Sequence, residues 1–440
     1  MKKHDLWRLA ALLLVAVMIL SACAAPTTPA PPPETQPPAA PPTEVPAAPP
    51  TEAPTAAPPT EAPTSPPPAE EFVFGILHVG PYNDRGWSQA HHEAGLYVQE
   101  KLPGTKYIYI DKVNPADRPG TTAQQLAEEL LAQGAKLIIF NSDDMKDGAI
   151  EFAKNYPDIN VIHASGDMVW KEGKNYQELP NLVNIMPQGE YTKMMAGCAA
   201  ALTTKTGKLG YIGPLINDET RRFVNAAYLG AKYCWQNYLG KDPKDLSFKV
   251  TWIGFWFNIP GVTADPTQVA TDFINSGYDV LISGLDTTEA VTEAAKATAA
   301  GKQVWALGYD YPGACDEAPQ VCLGIPYFNW GPSYLKHIKA AIEGTFVSTW
   351  DWVPPDWNDI NNLDTTGTGF IKGQGLSAEA SANVDKFIAE LAGGLNLWTG
   401  PLNFQDGTQF LAEGQVATAQ EIWYMPQLLE GMEGQSVPSE

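Results

Sequence analysis

Basic residues are scarce in this chain of 440 residues: 28 Lys and Arg stand against 50 Asp and Glu, a formal net charge of −22. That deficit excludes nucleic acid as a partner, because phosphate binding needs clustered Lys and Arg to release counterions. It argues equally against loose adsorption to anionic lipid. Cysteine is scarce too, with five in the whole chain, which rules out a disulfide-dense small fold. The six His are His4, His78, His91, His92, His163 and His337; no His/Cys cluster has metal-ligand spacing. His91 and His92 are adjacent and would point about 100° apart on a helix, a poor geometry for a shared metal. Also missing are a Gly-x-Ser-x-Gly elbow, a phosphate loop, an HExxH pair and a GxGxxG after the first strand. The expectation is a protein with no cofactor, no metal and no enzymatic step. A glycosidase with well-separated carboxylates stands as the enzymatic alternative, and nucleoside hydrolysis belongs with it.

No apolar run is long enough to cross a bilayer. The longest opens the chain: Lys2, Lys3 and Arg8 precede 12 apolar residues from Leu9 to Leu20, short of the roughly 30 Å of hydrocarbon but suited to a signal-peptide core. It ends in Leu20-Ser21-Ala22-Cys23, which resembles the bacterial lipobox. Residues 1–22 are therefore expected to be removed and Cys23 to carry the lipid anchor, two acyl chains anchoring stably where one would not. An ordinary signal peptide followed by a chance Cys is the rival. Residues 23–70 are read as the lipidated Cys and a disordered tether: 19 of the 39 prolines fall within the 47 residues from Ala24 to Glu70. Such a composition buries too little apolar surface to offset its ordering entropy and favours polyproline II. A Pro-rich ligand for SH3-like modules is the competing use, although no basic residue punctuates the run.

What the remaining residues 71–440 do have is alternation. Apolar β-type runs at Phe72–Leu77, Tyr107–Ile110, Leu137–Phe140 and Val161–Ala164 alternate with helical patterns such as Ser88–Leu102 and Thr122–Gln133, where Thr122 and Gln125 have capping-box spacing. All four strands read as buried on both faces. A second series places strands at Lys208–Ile212, Lys249–Phe255, Val280–Ser283 and Val304–Leu307, separated by helices such as Asn217–Asn237. The pattern predicts an α/β fold of two doubly wound parallel-sheet lobes. One lobe covers about residues 71–185 and the other about 186–325, with the C-terminal part crossing back. Trp350, Trp352, Pro354, Pro355 and Trp357 are expected at the cleft rim or across the hinge, with no ligand contact assigned beyond residue 345.

Ligands of doubly wound sheets bind beyond the carboxyl ends of the strands. Those positions hold Tyr82, Asn83, Asp84 and Trp87 after the first strand and Asp143 and Asp144 after the third. In the second series they hold Trp256, Asn258, Asp286 and Asp310, then Asn329 and Trp330. Flat aromatic faces flanked by carboxylates and amides suit a planar or ring-shaped ligand rich in N–H and O–H donors, such as a nucleobase, nucleoside or sugar. Each Asp or Asn at a strand-to-helix junction also has an ordinary use as a helix cap. Trp252 and Trp305, inside strand patterns, are assigned to packing. Export favours a bond between Cys315 and Cys322 across their Pro-containing turn, whereas Cys198 and Cys234, each on a helix, are expected as buried thiols.

Several stretches resemble one family. They include Asn83-Asp84-Arg85-Gly86-Trp87, Ala153-Lys154-Asn155-Tyr156-Pro157-Asp158, Gly189-Glu190-Tyr191 with Ala196-Gly197-Cys198-Ala199-Ala200, Phe223-Val224-Asn225-Ala226-Ala227, and Leu307-Gly308-Tyr309-Asp310. The span from about 72 to 345 is similar to the basic membrane protein (BMP) type of solute-binding lipoprotein, the purine-nucleoside receptors of ABC importers. The resemblance implies a type I periplasmic-binding fold with a hinge of several crossings. It further implies a monomer anchored outside the cytoplasm, a small solute as ligand and an ABC permease as membrane partner. By the same resemblance Asp84 and Trp87 match the acid and base-stacking aromatic of the first loop. Trp256 and Asn258 match the aromatic and acid of the second lobe, and Asp310 matches the acceptor for ribose hydroxyls. The Lys carried by many relatives near position 328 is replaced by Phe328, which tilts the expectation toward a free purine base or another flat heterocycle held among three Trp. A ligand sensor of the same fold, signalling to a membrane kinase, would carry the same residues.

Overall fold

The computed structural model describes residues 71–438. The leader, Cys23 and the Pro-rich tether lie outside the described residues.

The first series runs β1 (Phe72–Leu77), α1 (Trp87–Lys101), β2 (Thr105–Ile110), α2 (Ala123–Ala132), β3 (Leu137–Phe140), α3 (Lys146–Asn155), β4 (Asn160–Ala164) and β5 (Leu182–Pro187). Its strands pair in parallel in a sheet of order β5-β4-β3-β1-β2. The buried aliphatic run of β3 explains its central place, since helices cover both faces of a parallel sheet. Thr122 and Gln125 do form the capping box that starts α2. The strand β2 departs from the expectation of burial on both faces: it is the sheet edge, and Lys106 and Tyr109 face solvent.

The second series runs α4 (Gly189–Thr203), β6 (Lys208–Gly213), α5 (Asp218–Asn237), β7 (Ser247–Trp252), α6 (Pro266–Asn275), β8 (Val280–Ser283), α7 (Glu289–Ala299), β9 (Trp305–Leu307) and β10 (Cys322–Phe328). The strand β7 stops three residues before the expected Phe255, because Gly254 turns the chain at φ 106°. After β10 the chain returns to the first lobe as α8 (Gly331–Ile342), which packs on α1, and as β11 (Trp350–Val353), a sixth parallel strand beside β5. It then crosses again to β12 (Thr368–Lys372), which pairs antiparallel with β10. The aromatic stretch expected at a rim is thus a strand: Trp350 stacks on Trp170 with ring centroids 4.0 Å apart. Three crossings, after β5, β10 and β11, join two type I periplasmic-binding lobes. The chain finishes with α9 (Ala378–Ala392), the pair β13 (Leu402–Asn403) and β14 (Gln409–Leu411), the short α10 (Ala419–Trp423), and β15 (Met432–Glu433) against β7.

The helices α4 and α5 pack backbone against backbone. A Cβ on Gly197 would sit 1.8 Å from the Ala227 carbonyl oxygen, and one on Gly230 would sit 2.0 Å from that of Met194. This closeness corrects the reading of Cys198 and Cys234 as thiols: they form a disulfide between these helices, with Cα atoms 5.2 Å apart. Cys315 and Cys322 are also joined, as expected. Among the described residues no helix is long and apolar enough to cross a membrane.

Candidate functional site

The strand ends of the two sheets face one another, and the loops that leave them are locked before any ligand is considered. Asp84 accepts hydrogen bonds from the backbone amides of Gly86 (2.9 Å), Ser88 (3.0 Å) and Gln89 (2.9 Å), so it caps the start of α1. Burial pushes its carboxyl up to about 6 against the pull of those donors. Trp87, the first residue of α1, donates its indole N–H to the Asn141 carbonyl at the end of β3, at 2.6 Å. Rings of His91, Phe328 and Trp330 meet it edge-on at 4.9, 5.5 and 5.2 Å. The side chain is only 7 % exposed. Its position is therefore set from three sides, by the first lobe, by Trp330 in the crossing after β10, and by Phe328 at the end of β10 in the second lobe.

Trp87 shares a cavity with Trp256 of the other lobe. In this closed form the cavity is a tight slit of about 10 Å³, so a ring-shaped ligand enters it only when the lobes part. Ser142, Asp143 and Ser165 complete its first-lobe wall, and Glu219, Asp286 and Tyr309 its second-lobe wall. The lobes touch beside it. A Cβ on Gly86 would lie 1.9 Å from the Asp286 carbonyl oxygen, Arg85 pairs with Glu317 at 2.5 Å, and Tyr311 donates to Glu93 at 2.8 Å. This is a closed cleft.

Its walls are acidic and shielded. Burial pushes the Glu219 carboxyl up to about 8; Arg222 opposes this, while Asp143, Glu190 and Asp144 reinforce it. Burial likewise raises Asp286 well above the carboxylate range, with Asp310, Asp84, Asp144 and Glu219 adding to the effect. Asp310 sits at φ 64°, is wholly buried, and has both carboxyl oxygens without a hydrogen-bond partner. Burial raises its carboxyl, and the nearby Lys193 opposes the rise. The Lys193 ammonium donates to the Ser283 carbonyl at 3.0 Å and lies 3.0 Å from the centroid of the Tyr309 ring.

Of the residues singled out by sequence, Trp87, Asp143, Trp256 and Asp286 line the cavity. Asp144 is next to it, with the Trp256 side chain in interaction range of its carboxylate. Asp310 lies behind Tyr309 rather than on the cavity wall. The others are placed elsewhere. Tyr82 packs on His92 and Tyr109 at the outer surface, Asn83 is exposed, and Asp84 caps a helix. Asn258 accepts from the Thr263 hydroxyl in its own loop. The Asn329 amide donates to the carbonyls of Leu363 and Thr366, both at 2.9 Å. Trp330 is fully buried and stacks on His91 at 4.2 Å, so it supports Trp87 from behind and is not a third cavity wall. Sequence reading places Ser142, Ser165 and Tyr309 at strand ends without choosing them as site residues, and it misses Glu219 and Lys193. Glu219 had a usable signal, since it stands in the first turn of a helix after a strand end.

With that geometry in place, comparison with known proteins decides the family. A family model described as ABC transporter substrate-binding protein, PnrA-like, matches residues 72–352. The chain belongs to that family. A purine-binding protein of Brucella abortus is 28 % identical over 372 residues, covering 83 % of this chain and 93 % of that one. A putative ABC transporter glucose-binding protein of Haloferax volcanii is 25 % identical over 364 residues, covering 82 % and 80 %. An ABC transporter nucleoside-binding protein of Lactococcus lactis is 30 % identical over 239 residues, covering 52 % and 60 %. Among solved structures, an ABC transporter solute-binding protein from Aeropyrum pernix superposes with a TM-score of 0.57 at 15 % identity, over 76 % of this chain and 93 % of that one, which supports the fold. As a PnrA-like substrate-binding protein the molecule works outside the cytoplasm, with a small solute and an ABC permease as partners.

Proposed function

We propose that the protein captures a purine base or purine nucleoside between Trp87 and Trp256 and presents it to the permease of an importer. The observation that carries this reading is a narrow cavity walled by one indole from each lobe, with Asp143, Glu219 and Asp286 around its edge. A purine offers two π-faces to the indoles and ring N–H or amino donors to the carboxylates. The protein breaks no bond. It exchanges the ligand's hydration for stacking and charge-assisted hydrogen bonds, and because contacts come from both lobes the ligand favours the closed state. The names of the Brucella and Lactococcus relatives agree with a purine or nucleoside ligand.

Stacking on an aromatic side chain is worth about 1–3 kcal/mol per base. Trp87→Ala should therefore weaken binding at least about tenfold. Mass spectrometry of ligand released from purified protein, followed by calorimetry against bases and nucleosides, tests the reading. Unchanged affinity in the Trp87 variant would remove the assignment. A hexose is the second reading, favoured by the name of the Haloferax relative, and binding of glucose in preference to every purine would establish it. Anchoring through lipid on Cys23, with residues 23–70 as the tether, belongs to the same proposal. An unmodified Cys23 in the mature N-terminal peptide would refute that part.

A further inference from the structure

The segment from Gln420 to Leu429 lies beyond the residues that the family model matches, and it holds both lobes at once. On the second lobe it is fastened to α5. Arg221 Nε donates to the Met425 carbonyl at 2.6 Å, and Asn225 donates to the Gln427 carbonyl at 2.9 Å and accepts from the Leu429 amide at 3.0 Å. The Arg222 guanidinium lies 4.2 Å from the centroid of the Trp423 ring, and β15 follows beside β7. On the first lobe the same segment meets the loop between β4 and β5. The Tyr424 hydroxyl donates to Asp167 and accepts from the Lys174 amide at 2.6 Å, the Lys174 ammonium lies 4.4 Å from the centroid of the Tyr424 ring, and Gln420 donates to the Glu172 carbonyl. Trp423 meets Trp350 and Trp352 of β11 edge-on at 5.0 and 5.6 Å. That loop is pinned to its own lobe, because the Val169 amide donates to Asn184 of β5 at 3.0 Å and Trp170 stacks on Trp350.

We infer that residues 420–425 form a strap across the two lobes, in which Tyr424 and Gln420 are positioning residues that bias the ligand-free protein toward the closed cleft. The strap adds a fourth link to the three covalent crossings. Its second-lobe half is anchored by backbone carbonyls and a strand, whereas its first-lobe half consists of hydrogen bonds and ring contacts, which can break and re-form as a hinge moves. The bond from Tyr424 to a carboxylate is stronger than one between neutral groups, so parting the lobes at that loop costs more than parting a surface contact. Only the closed fraction of molecules holds a ligand from both sides, so a bias supplied by the strap raises the apparent affinity for any solute the cleft accepts.

Hydrogen–deuterium exchange on the full chain, dialysed free of ligand, tests this with two variants. Tyr424→Phe removes the hydroxyl, and the double change Lys174→Ala with Gln420→Ala removes two exposed side chains that the fold does not need. The peptides to follow cover Arg85–Trp87 and Asp286–Thr288, which meet across the cleft where Gly86 abuts the Asp286 carbonyl and which lie outside the strap. Their amides should exchange at least about tenfold faster in Tyr424→Phe, the size expected when a hydrogen bond to a charged group is lost, and faster by a smaller factor in the double variant. The central strand β3 should exchange as in the parent protein, because opening of the cleft leaves each sheet intact. Unchanged exchange at the cleft peptides in both variants, or an increase that β3 shares in full, would overturn the strap and leave these residues with a purely structural role. No ligand enters the measurement, so its outcome is independent of whether the solute is a purine.

Discussion

The two indoles that wall the cavity are held in different ways. Trp87 is fixed by its hydrogen bond to the Asn141 carbonyl and by three neighbouring rings. Trp256 stands on a loop beyond the end of β7, half-buried, and its indole nitrogen makes no strict hydrogen bond although Asp144 is near. Trp87 is thus a platform built before the ligand arrives, with Phe328 of β10 among its supports. The second lobe supplies a jaw whose position depends on closure and on what it closes upon. Preorganisation on one side lowers the ordering cost of binding, and parting of the lobes lets the ligand enter.

The most damaging test of this contrast leaves both indoles intact. Gly86→Ala puts a methyl group into the Asp286 backbone, which cannot yield as a flexible side chain would. The lobes should then fail to close, with affinity in calorimetry falling about a hundredfold and the thermal midpoint nearly unchanged. Next, Trp87→Ala should reduce both stability and affinity, because it empties a buried aromatic cluster; a loss of about 3–5 kcal/mol is typical for a large buried aromatic. Trp256→Ala should weaken binding about tenfold with a change in chemical-denaturation stability under about 1 kcal/mol. Equal stability losses in the two variants would abolish the distinction between platform and jaw.

The smallest expected effect concerns protons. Glu219 is held at about 8 in the closed protein by burial, above the usual carboxyl value of roughly 4.3. A carboxyl with a raised folded value stabilises the folded state fully below its unfolded value, and that contribution is lost as pH rises through the folded value. The ligand-free protein should therefore lose thermal stability between about pH 4.5 and pH 8, by a few degrees. Glu219→Gln should flatten that slope. An identical slope in the variant would mean that Asp286 and Asp310 carry the effect.

Much of the first sheet and the core of the second were legible because their strands are short aliphatic runs and their helices carry ordinary start signals, as at Thr122 and Asn217. The hinge was not. The strand β11 is half Trp and pairs with β5 far away in sequence, and β10 contains Pro326, so neither announces itself by period. At the site, Trp87 and Trp256 could be found because they stand just past strand ends, where ligands of doubly wound sheets bind. Asp84, Asn329 and Trp330 looked equivalent to them, yet helix capping and packing claimed all three. Lys193 and Glu219 were missed for the converse reason: a charged residue on a helix reads as solvated, and only the second lobe's packing buries it. The bond between Cys198 and Cys234 was hidden in the same way, since nothing local says that two alanine-rich helices approach to glycine distance.

The three crossings carry a consequence for biosynthesis. The first sheet is incomplete until Val353 has been made, and the second waits for Lys372 and then for Met432. Neither half exists as one continuous stretch of gene. During synthesis β1 to β5 can pair with one another at once, yet each lobe acquires its last strand only after the chain has left it and returned.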